Sequence, residues 1–266
     1  NIYNDISFNV LTKDMERIFQ MFAPELEIQN ETGLSGKYNS KKEYLDIVFR
    51  SPYLSYGDIV VNEIYGTQII SNDSIFCDYI VDYVSYNDSL KFNQIEFVAD
   101  GTEGVLNSNL TWAPGTDEAS SINWDTRIHD NDHIEVILKP SFFSLDGMSW
   151  GIMKESDISI TTEDIHISKF ELNRDDQLIQ INGCLSENDF DELRAHFENI
   201  DLAEIGLILG LENQFAGTLS GWSALSNPYS NFRYIGDLSL NEFYVDEHEI
   251  GDLLVQTNYD NSINGI

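Results

Sequence analysis

Apolar and polar residues alternate along most of this chain, and this alternation constrains the fold more than any other feature. Successive side chains of a strand point to opposite faces, so a period of two residues predicts strands with one apolar face. Turn-forming clusters such as Ser71–Ser74 and Asn173–Asp176 separate the alternating runs. With almost no helical pattern between the runs, the sequence predicts mainly β structure, arranged as an antiparallel meander and not as a doubly wound parallel sheet.

Four of the alternating segments supply candidate residues for the apolar face. They are residues 76–86, 104–112, 133–138 and 232–240. Their apolar positions are Cys77, Tyr79, Val81, Tyr83, Leu106, Leu110, Trp112, Ile134, Val136, Leu138, Phe232, Tyr234, Leu238 and Leu240. Such a face is either hidden by a second sheet or left open as a trough that suits lipid acyl chains. The pattern by itself leaves both possibilities open.

Two segments have helical rather than alternating spacing. Thr12–Phe22 is followed by Pro24, which would end a helix. Ser186–Asn199 begins with a suitable N-cap residue and carries apolar residues on one helical face, namely Phe190, Leu193 and Phe197. We expect two short helices that cover the apolar side of neighbouring strands.

Charge excludes several classes of partner. The chain of 266 residues has 46 Asp and Glu against 14 Lys and Arg, a formal charge of −32. This excess repels nucleic-acid phosphates and anionic membrane surfaces. Because 42% of the residues are hydrophobic, the chain is folded and not an acidic disordered segment. We expect Cys77 and Cys184 to be two small hydrophobic residues, with one disulfide between them as the alternative.

Motifs for catalysis are missing from the sequence. It contains no phosphate-binding loop, no HExxH and no GxSxG. The cluster from His129 to His133 has the residue types of a metal site, but it precedes a strand and is predicted to be a solvated hairpin turn. A pair of carboxylates could hydrolyse glycosides, yet the acids are too numerous to single out a pair. We therefore expect no enzymatic activity, no cofactor and no bound metal.

The C-terminal part of the chain has an ordered series of short motifs. A Gly-containing strand is followed by a turn with Pro, a second strand, an Ile-Gly-x-Leu step and a Tyr-Asp turn. These are Phe215–Leu225, Asn227–Tyr229, Phe232–Leu240, Ile250–Leu254 and Tyr259-Asp260. In this order the motifs resemble the TamB family, and the resemblance is clearest in residues 135–266. Glycines Gly217, Gly221 and Gly236 would permit the bends that a curled sheet needs.

The resemblance to TamB, and through it to AsmA-type and bridge-like lipid transfer proteins, implies both a fold and a function. The implied fold is an elongated, curled antiparallel sheet with an apolar groove, a β-taco, here with two short helices. The implied function is phospholipid transport between the inner and outer membranes of the envelope, together with outer-membrane protein assembly. Such proteins lie in the periplasm, are anchored in the inner membrane and dock on an outer-membrane barrel of the Omp85 type.

We expect residues 1–266 to be one continuous β-rich piece of a longer periplasmic protein, with the anchor and the barrel-docking part elsewhere. Phospholipid acyl chains are the expected partner, and nucleic acid is not. A different class of function stays open on the sequence alone. It is an extracellular β-rich adhesin or carbohydrate-binding module with a closed core.

Overall fold

The chain folds as antiparallel β structure with almost no helix in its described part. The computed structural model describes residues 4–13, 21–87, 90–130, 132–145, 147–204, 215–228, 230–246 and 248–261. One hydrogen-bonded sheet contains 19 strands, and only residues 21–22 and 202–204 of the described ranges are α-helical. No helix within these ranges is long and apolar enough to span a bilayer. The predicted mainly β, antiparallel class is confirmed.

The chain divides into two compact units, residues 1–125 and 126–266. The strands of the first unit are β1 Asp5–Leu11, β2 Leu26–Ile28, β3 Gly33–Asn39, β4 Tyr44–Tyr56, β5 Ile59–Ser71, β6 Ser74–Tyr86, β7 Leu90–Thr102, β8 Val105–Trp112 and the first half of β9 Ser120–Asp130. Strands β3 to β8 pair in chain order, β1 pairs with β3, and β2 pairs with the end of β4. This part is therefore a meander, as the sequence predicts.

The second unit continues the antiparallel pattern. Its strands are the rest of β9, β10 His133–Leu138, β11 Ser141–Leu145, β12 Met148–Ile152, β13 Ser156–Thr161, β14 Asp164–Arg174, β15 Gln177–Ser186, β16 Leu193–Asp201, β17 Phe215–Ser226, β18 Arg233–Val245 and β19 His248–Asp260. Strands β13 to β19 pair in chain order. Strand β9 pairs with both β10 and β11, which are separated by Lys139-Pro140, where proline cannot donate to the ladder.

The predicted helix over Ser186–Asn199 is wrong. Residues 187–192 form a turn, and residues 193–201 form strand β16. The Ser186 hydroxyl caps this turn: it accepts a bond from the Asn188 N–H at 2.9 Å and donates to Asp191 Oδ2 at 2.8 Å. Phe190 is 93% exposed and packs on nothing. Most of the second predicted helix, Thr12–Phe22, lies outside the described residues.

Residues with positive φ lie inside several strands. Lys169 in β14 and Asn199 in β16 have positive φ, and each lies where the register of its ladder shifts. In β17, Gly217 has φ 114° at a third shift, and Gly221 has φ 131°. Of the three glycines expected to permit bends, these two have positive φ, whereas Gly236 does not.

Few side chains are buried in this sheet. Among the described residues, ten hydrophobic residues are buried: Val81, Ala99, Trp112, Ala113, Ile137, Met148, Trp150, Ile152, Ile200 and Ala224. A closed two-layer core fills its interior with most of the inward-facing side chains of both sheets. The described strands therefore leave much of their apolar surface only partly covered.

Candidate functional site: the apolar faces

Cross-strand register gathers apolar residues of the first unit into rows on one face. Residues directly opposite in neighbouring strands share a face. Three adjacent rows, each running from β1 to β8, define what we call the first apolar face. They are Ile6–Tyr38–Leu45–Ile70–Ile75–Gly101–Leu106, Phe8–Gly36–Ile47–Gln68–Cys77–Ala99–Ser108 and Val10–Leu34–Phe49–Gly66–Tyr79–Phe97–Leu110. Predicted residues Cys77, Tyr79, Leu106 and Leu110 all lie on this face.

Most side chains of the first apolar face are half-buried, and few of its described residues are buried. Ala99 is buried, while Ile6 and Val10 at the β1 end are 51% and 55% exposed. Gly66 makes room for a neighbour, because a Cβ atom there would lie only 2.0 Å from the Tyr79 ring. The ring therefore lies across the glycine and widens the apolar surface of the face.

A break in the ladder marks the end of these rows. The next row contains Val81 between Ile64 and Ile95. Beyond this row, Glu63 and Gln94 have a left-handed backbone conformation. From there on, the apolar residues of each strand occupy the other set of alternate positions. The new apolar row is Ile28–Leu54–Val61–Val84–Phe92. The ring of its last residue meets the Trp112 ring edge-on at 5.6 Å.

Two predicted residues lie at this break. Trp112 is buried, and its ring contacts Phe92, which belongs to the new apolar row. The apolar side of the sheet therefore continues beyond Gln94. Tyr83 is opposite Asn62 and Asn93, and the Lys91 Nζ lies 3.9 Å from its ring centroid. Tyr83 therefore has polar neighbours, because the apolar residues of β6 change to the other set of alternate positions before the chain reaches Tyr83.

The second unit has its own apolar face, defined by five rows. They are Ile134–Ile160–Ile165–Leu185, Val136–Ile158–Ile167–Gly183–Leu193–Leu225–Tyr234–Tyr259, Phe170–Ile181–Ala195–Ser223–Gly236–Thr257, Leu172–Ile179–Phe197–Gly221–Leu238–Val255 and Leu219–Leu240–Leu253 with Ile200. The predicted residues Ile134, Val136, Tyr234, Leu238 and Leu240 fall in these rows. Within them, Ile200 is the hydrophobic residue that is buried.

The remaining two predicted residues extend this second apolar face. Leu138 is opposite Ser156, two positions along β10 from Val136. Phe232 precedes β18 and places its ring 5.8 Å from that of Tyr259. Twelve of the fourteen predicted residues are thus grouped with apolar neighbours, six in each unit, whereas Leu138, like Tyr83, has a polar residue opposite it.

The opposite side of the second unit is polar. Its rows are Glu135–Ser159–His166–Cys184, Asn182–Arg194–Ala224–Ile235–Asn258 and Glu171–Gln180–His196–Trp222–Asp237–Gln256. The contrast is sharpest on β19, where Leu253, Val255 and Thr257 are half-buried while Leu254 is 82% exposed. The sheet of this unit therefore has one apolar side and one mainly polar side, on which Ile137 and Ala224 are buried.

The pKa values of a thiol and a phenol reflect the apolar surroundings of the first apolar face. Burial raises the pKa of the Cys77 thiol. Burial, and then the nearby Cys77, raise the pKa of the Tyr79 phenol. Both thiols of the chain are free, and Cys77 lies among apolar residues as predicted, whereas Cys184 lies in a polar row.

Ion pairs lower the pKa of two carboxylates on the polar side. The hydrogen bond from Arg127 at 3.1 Å is the main cause that lowers the pKa of Glu135, and His129 adds to it. Lys154, at 2.8 Å, lowers the pKa of Glu171. Neither change is the upward shift that a catalytic acid requires. The turn predicted at His129–His133 lies between β9 and β10, and the two imidazole rings stack there at 4.5 Å. Among the described residues, no group of three potential metal ligands occurs.

Several residues of the two faces escaped the sequence prediction. In the first unit they include Phe49, Ile64 and Phe97, whose strands alternate as clearly as β6 does. In the second unit, Leu193 and Phe197 were assigned to a helix although Arg194, His196 and Glu198 alternate with them. Period-two alternation was the signal that could have found all five.

Comparison with known proteins identifies no relative of this chain. No protein-family model matches it, no curated protein matches it, and no solved structure matches it.

Proposed function

We propose that this chain is a segment of a TamB-like periplasmic protein whose apolar faces carry phospholipid acyl chains. One observation supports the proposal above all. Apolar residues line up across six or more neighbouring strands in each unit, and few of them are buried. Soluble proteins rarely leave so large an apolar surface without something that binds to it. The resemblance of residues 135–266 to TamB points to the same ligand.

The energetics suit transfer. Each methylene group removed from water contributes about 0.8 kcal/mol, so one long acyl chain contributes on the order of 10 kcal/mol before ordering costs. Each apolar row crosses neighbouring strands that are about 4.8 Å apart, so similar apolar positions repeat along the row. The acyl chain can therefore move from one position to the next. The surface thus binds hydrocarbon without a single deep site that would trap it.

The polar side contributes to the proposed lipid-binding function through its charge and hydration. The charged residues of the second unit, such as Asp237 and Glu198, face away from the apolar rows. Their hydration keeps that side in water, and like charges oppose pairing between copies of an open sheet. In this proposal the full-length protein is anchored in the inner membrane, reaches an Omp85-type barrel and assists outer-membrane protein assembly through parts outside this chain.

A closed-core adhesin or carbohydrate-binding module is the alternative. It needs a second layer over the apolar rows, and the small set of buried hydrophobic residues favours the open face instead. No enzymatic step forms part of the proposal.

Photo-crosslinking tests the proposal with two adjacent positions. A photoreactive amino acid replaces Leu238, on the second apolar face, or Asp237, on the polar side. During incubation with radiolabelled phospholipid, we expect strong labelling from position 238 and weak labelling from position 237, because only the former faces hydrocarbon. Equal labelling at both positions, or none at either, would contradict a lipid-binding face.

A further inference from the structure

A concave site lies on the polar side of the second unit, and Phe170 and Ile181 of the second apolar face also contribute to its lining. This cleft has a volume of about 430 Å³ and spans four strands, β14 to β17. We name it the Trp222 cleft. Its polar and aromatic lining is Glu171, Gln180, Asn182, Arg194, His196 and Trp222. Neither lipid binding nor the TamB resemblance assigns any role to these side chains.

The floor of the Trp222 cleft is one cross-strand row. Glu171 is opposite Gln180, Gln180 is opposite His196, and His196 is opposite Trp222. Neighbouring strands are about 4.8 Å apart, so the four side chains extend over about 14 Å. A ligand in the cleft would therefore lie across the strands and contact several side chains in turn.

The chemistry of the row combines an aromatic ring with planar polar groups. The Arg194 guanidinium lies 5.0 Å from the Trp222 ring centroid and supports the ring. Gln180 Nε2 donates to Glu171 Oε1 at 3.1 Å, and Asn182 adds a second amide beside them. Sugars present hydroxyls that need both donors and acceptors, together with C–H surfaces that pack on aromatic rings. This set of side chains supplies both.

Charge selects among sugars. Two charged groups of the lining are paired, Glu171 with Lys154 at 2.8 Å and Arg194 with Glu192 at 2.5 Å, and Lys169 adds a further cation to the lining. The chain as a whole carries −32, which repels polyanions. We propose that the Trp222 cleft binds an uncharged oligosaccharide that lies across β14–β17, with Trp222 as the stacking platform.

Calorimetric titration of the whole chain tests this inference. The probes are chitohexaose and cellohexaose, both uncharged, and a hexamer of galacturonic acid as the anionic comparison. We expect saturable binding of at least one uncharged probe. Trp222→Ala should weaken that binding by about tenfold or more, and Gln180→Ala provides a second variant in case the first does not fold. Circular dichroism checks the fold of each variant.

Asn258→Ala is the matched control, because Asn258 lies on the same polar side, on β19 and outside the cleft. It should bind the sugar as the unaltered chain does. Leu238→Asp, on the opposite face, should also keep sugar binding, so the inference stands or falls independently of the lipid proposal. Failure of both uncharged probes to bind, preference for the anionic hexamer, or full binding by the two cleft variants would overturn it.

Discussion

The two cysteines lie in different surroundings, Cys77 on the first apolar face and Cys184 on the polar side of the second unit. Cys77 lies in the row Phe8–Gly36–Ile47–Gln68–Cys77–Ala99–Ser108 of the first apolar face. Cys184 lies in a polar row, opposite His166. Burial raises the pKa of both thiols, and the carboxylates of Asp191 and Asp164 raise that of Cys184 further. Both thiols are free, so each can be followed by alkylation.

Alkylation by iodoacetamide should separate the two environments. Because the thiolate is the reactive form and both pKa values are raised, each thiol should react more slowly at pH 8 than in the urea-unfolded chain. Each rate should rise about tenfold per pH unit until the pH passes the raised pKa. Monomeric lysophosphatidylcholine should slow Cys77 severalfold, since its acyl chain covers that face, and leave Cys184 unchanged.

Single-cysteine variants Cys184→Ser and Cys77→Ser allow mass spectrometry to measure each thiol alone. Equal protection of both thiols by the lipid would show non-specific binding and contradict the division into an apolar and a polar side.

At the level of the strands, residues with positive φ interrupt the regular extended backbone. Gly221 in β17 has φ 131°, and a Cβ atom there would lie 2.2 Å from the Asp237 carbonyl oxygen. Glu63 in β5 also has positive φ, 50°, but carries a side chain that disfavours this conformation. Substitutions at these two positions should therefore change stability in opposite directions.

Gly221→Ala should lower the free energy of unfolding by about 2–4 kcal/mol, through backbone strain and the clash with β18. Glu63→Gly should raise it by about 0.5–1 kcal/mol, because relief of the left-handed strain exceeds the entropy cost of glycine. Urea denaturation measures both. Ser223→Ala, on the same strand, is the control and should stay within about 0.5 kcal/mol of the original chain. A neutral Gly221→Ala would show that β17 is not fixed in this conformation.

The same residues explain what sequence could and could not predict. Alternation was sufficient for the strands that became β6, β8, β10 and β18, and for most of the candidate face. It failed at Tyr83, because left-handed Glu63 and Gln94 move the apolar pattern to the other alternate positions, and neither residue type favours that conformation. It failed at Ser186–Asn199, where Phe190, Leu193 and Phe197 match helical spacing by chance while cross-strand pairing decides the structure.

For the molecule as a whole, excess negative charge opposes folding. The formal charge is −32, and few hydrophobic side chains are buried to offset the repulsion between like charges. Two carboxylates act in the other direction. The lowered pKa values of Glu135 and Glu171 mean that their ion pairs stabilise the fold above the ordinary pKa of glutamate. That contribution is lost as pH falls through the lowered values.

Thermal unfolding followed by circular dichroism should show both effects. The melting temperature should rise when salt increases from 0.05 to 0.5 M, roughly the range over which the Debye length falls from above 10 Å to below 8 Å. It should also rise from pH 7.5 to about pH 5, as repulsion between carboxylates weakens, and fall below about pH 4 as Glu135 and Glu171 become protonated.

Arg127→Gln, which removes the main partner of Glu135, should reduce the fall below pH 4 and leave the salt response intact. The fall itself should be modest, because both pairs are partly exposed. A melting temperature that drops with added salt would contradict the dominance of repulsion.

The small number of shielded side chains has a consequence for how such a chain changes over generations. Backbone ladders hold the strands together, and they are indifferent to which oily residue occupies a given position. With little interlocking to preserve, mutation can exchange Ile, Leu, Val and Phe almost freely while the architecture persists. Common ancestry among proteins of this kind would then remain visible in the period-two alternation and in the spacing of left-handed positions, even where the residue identities have diverged.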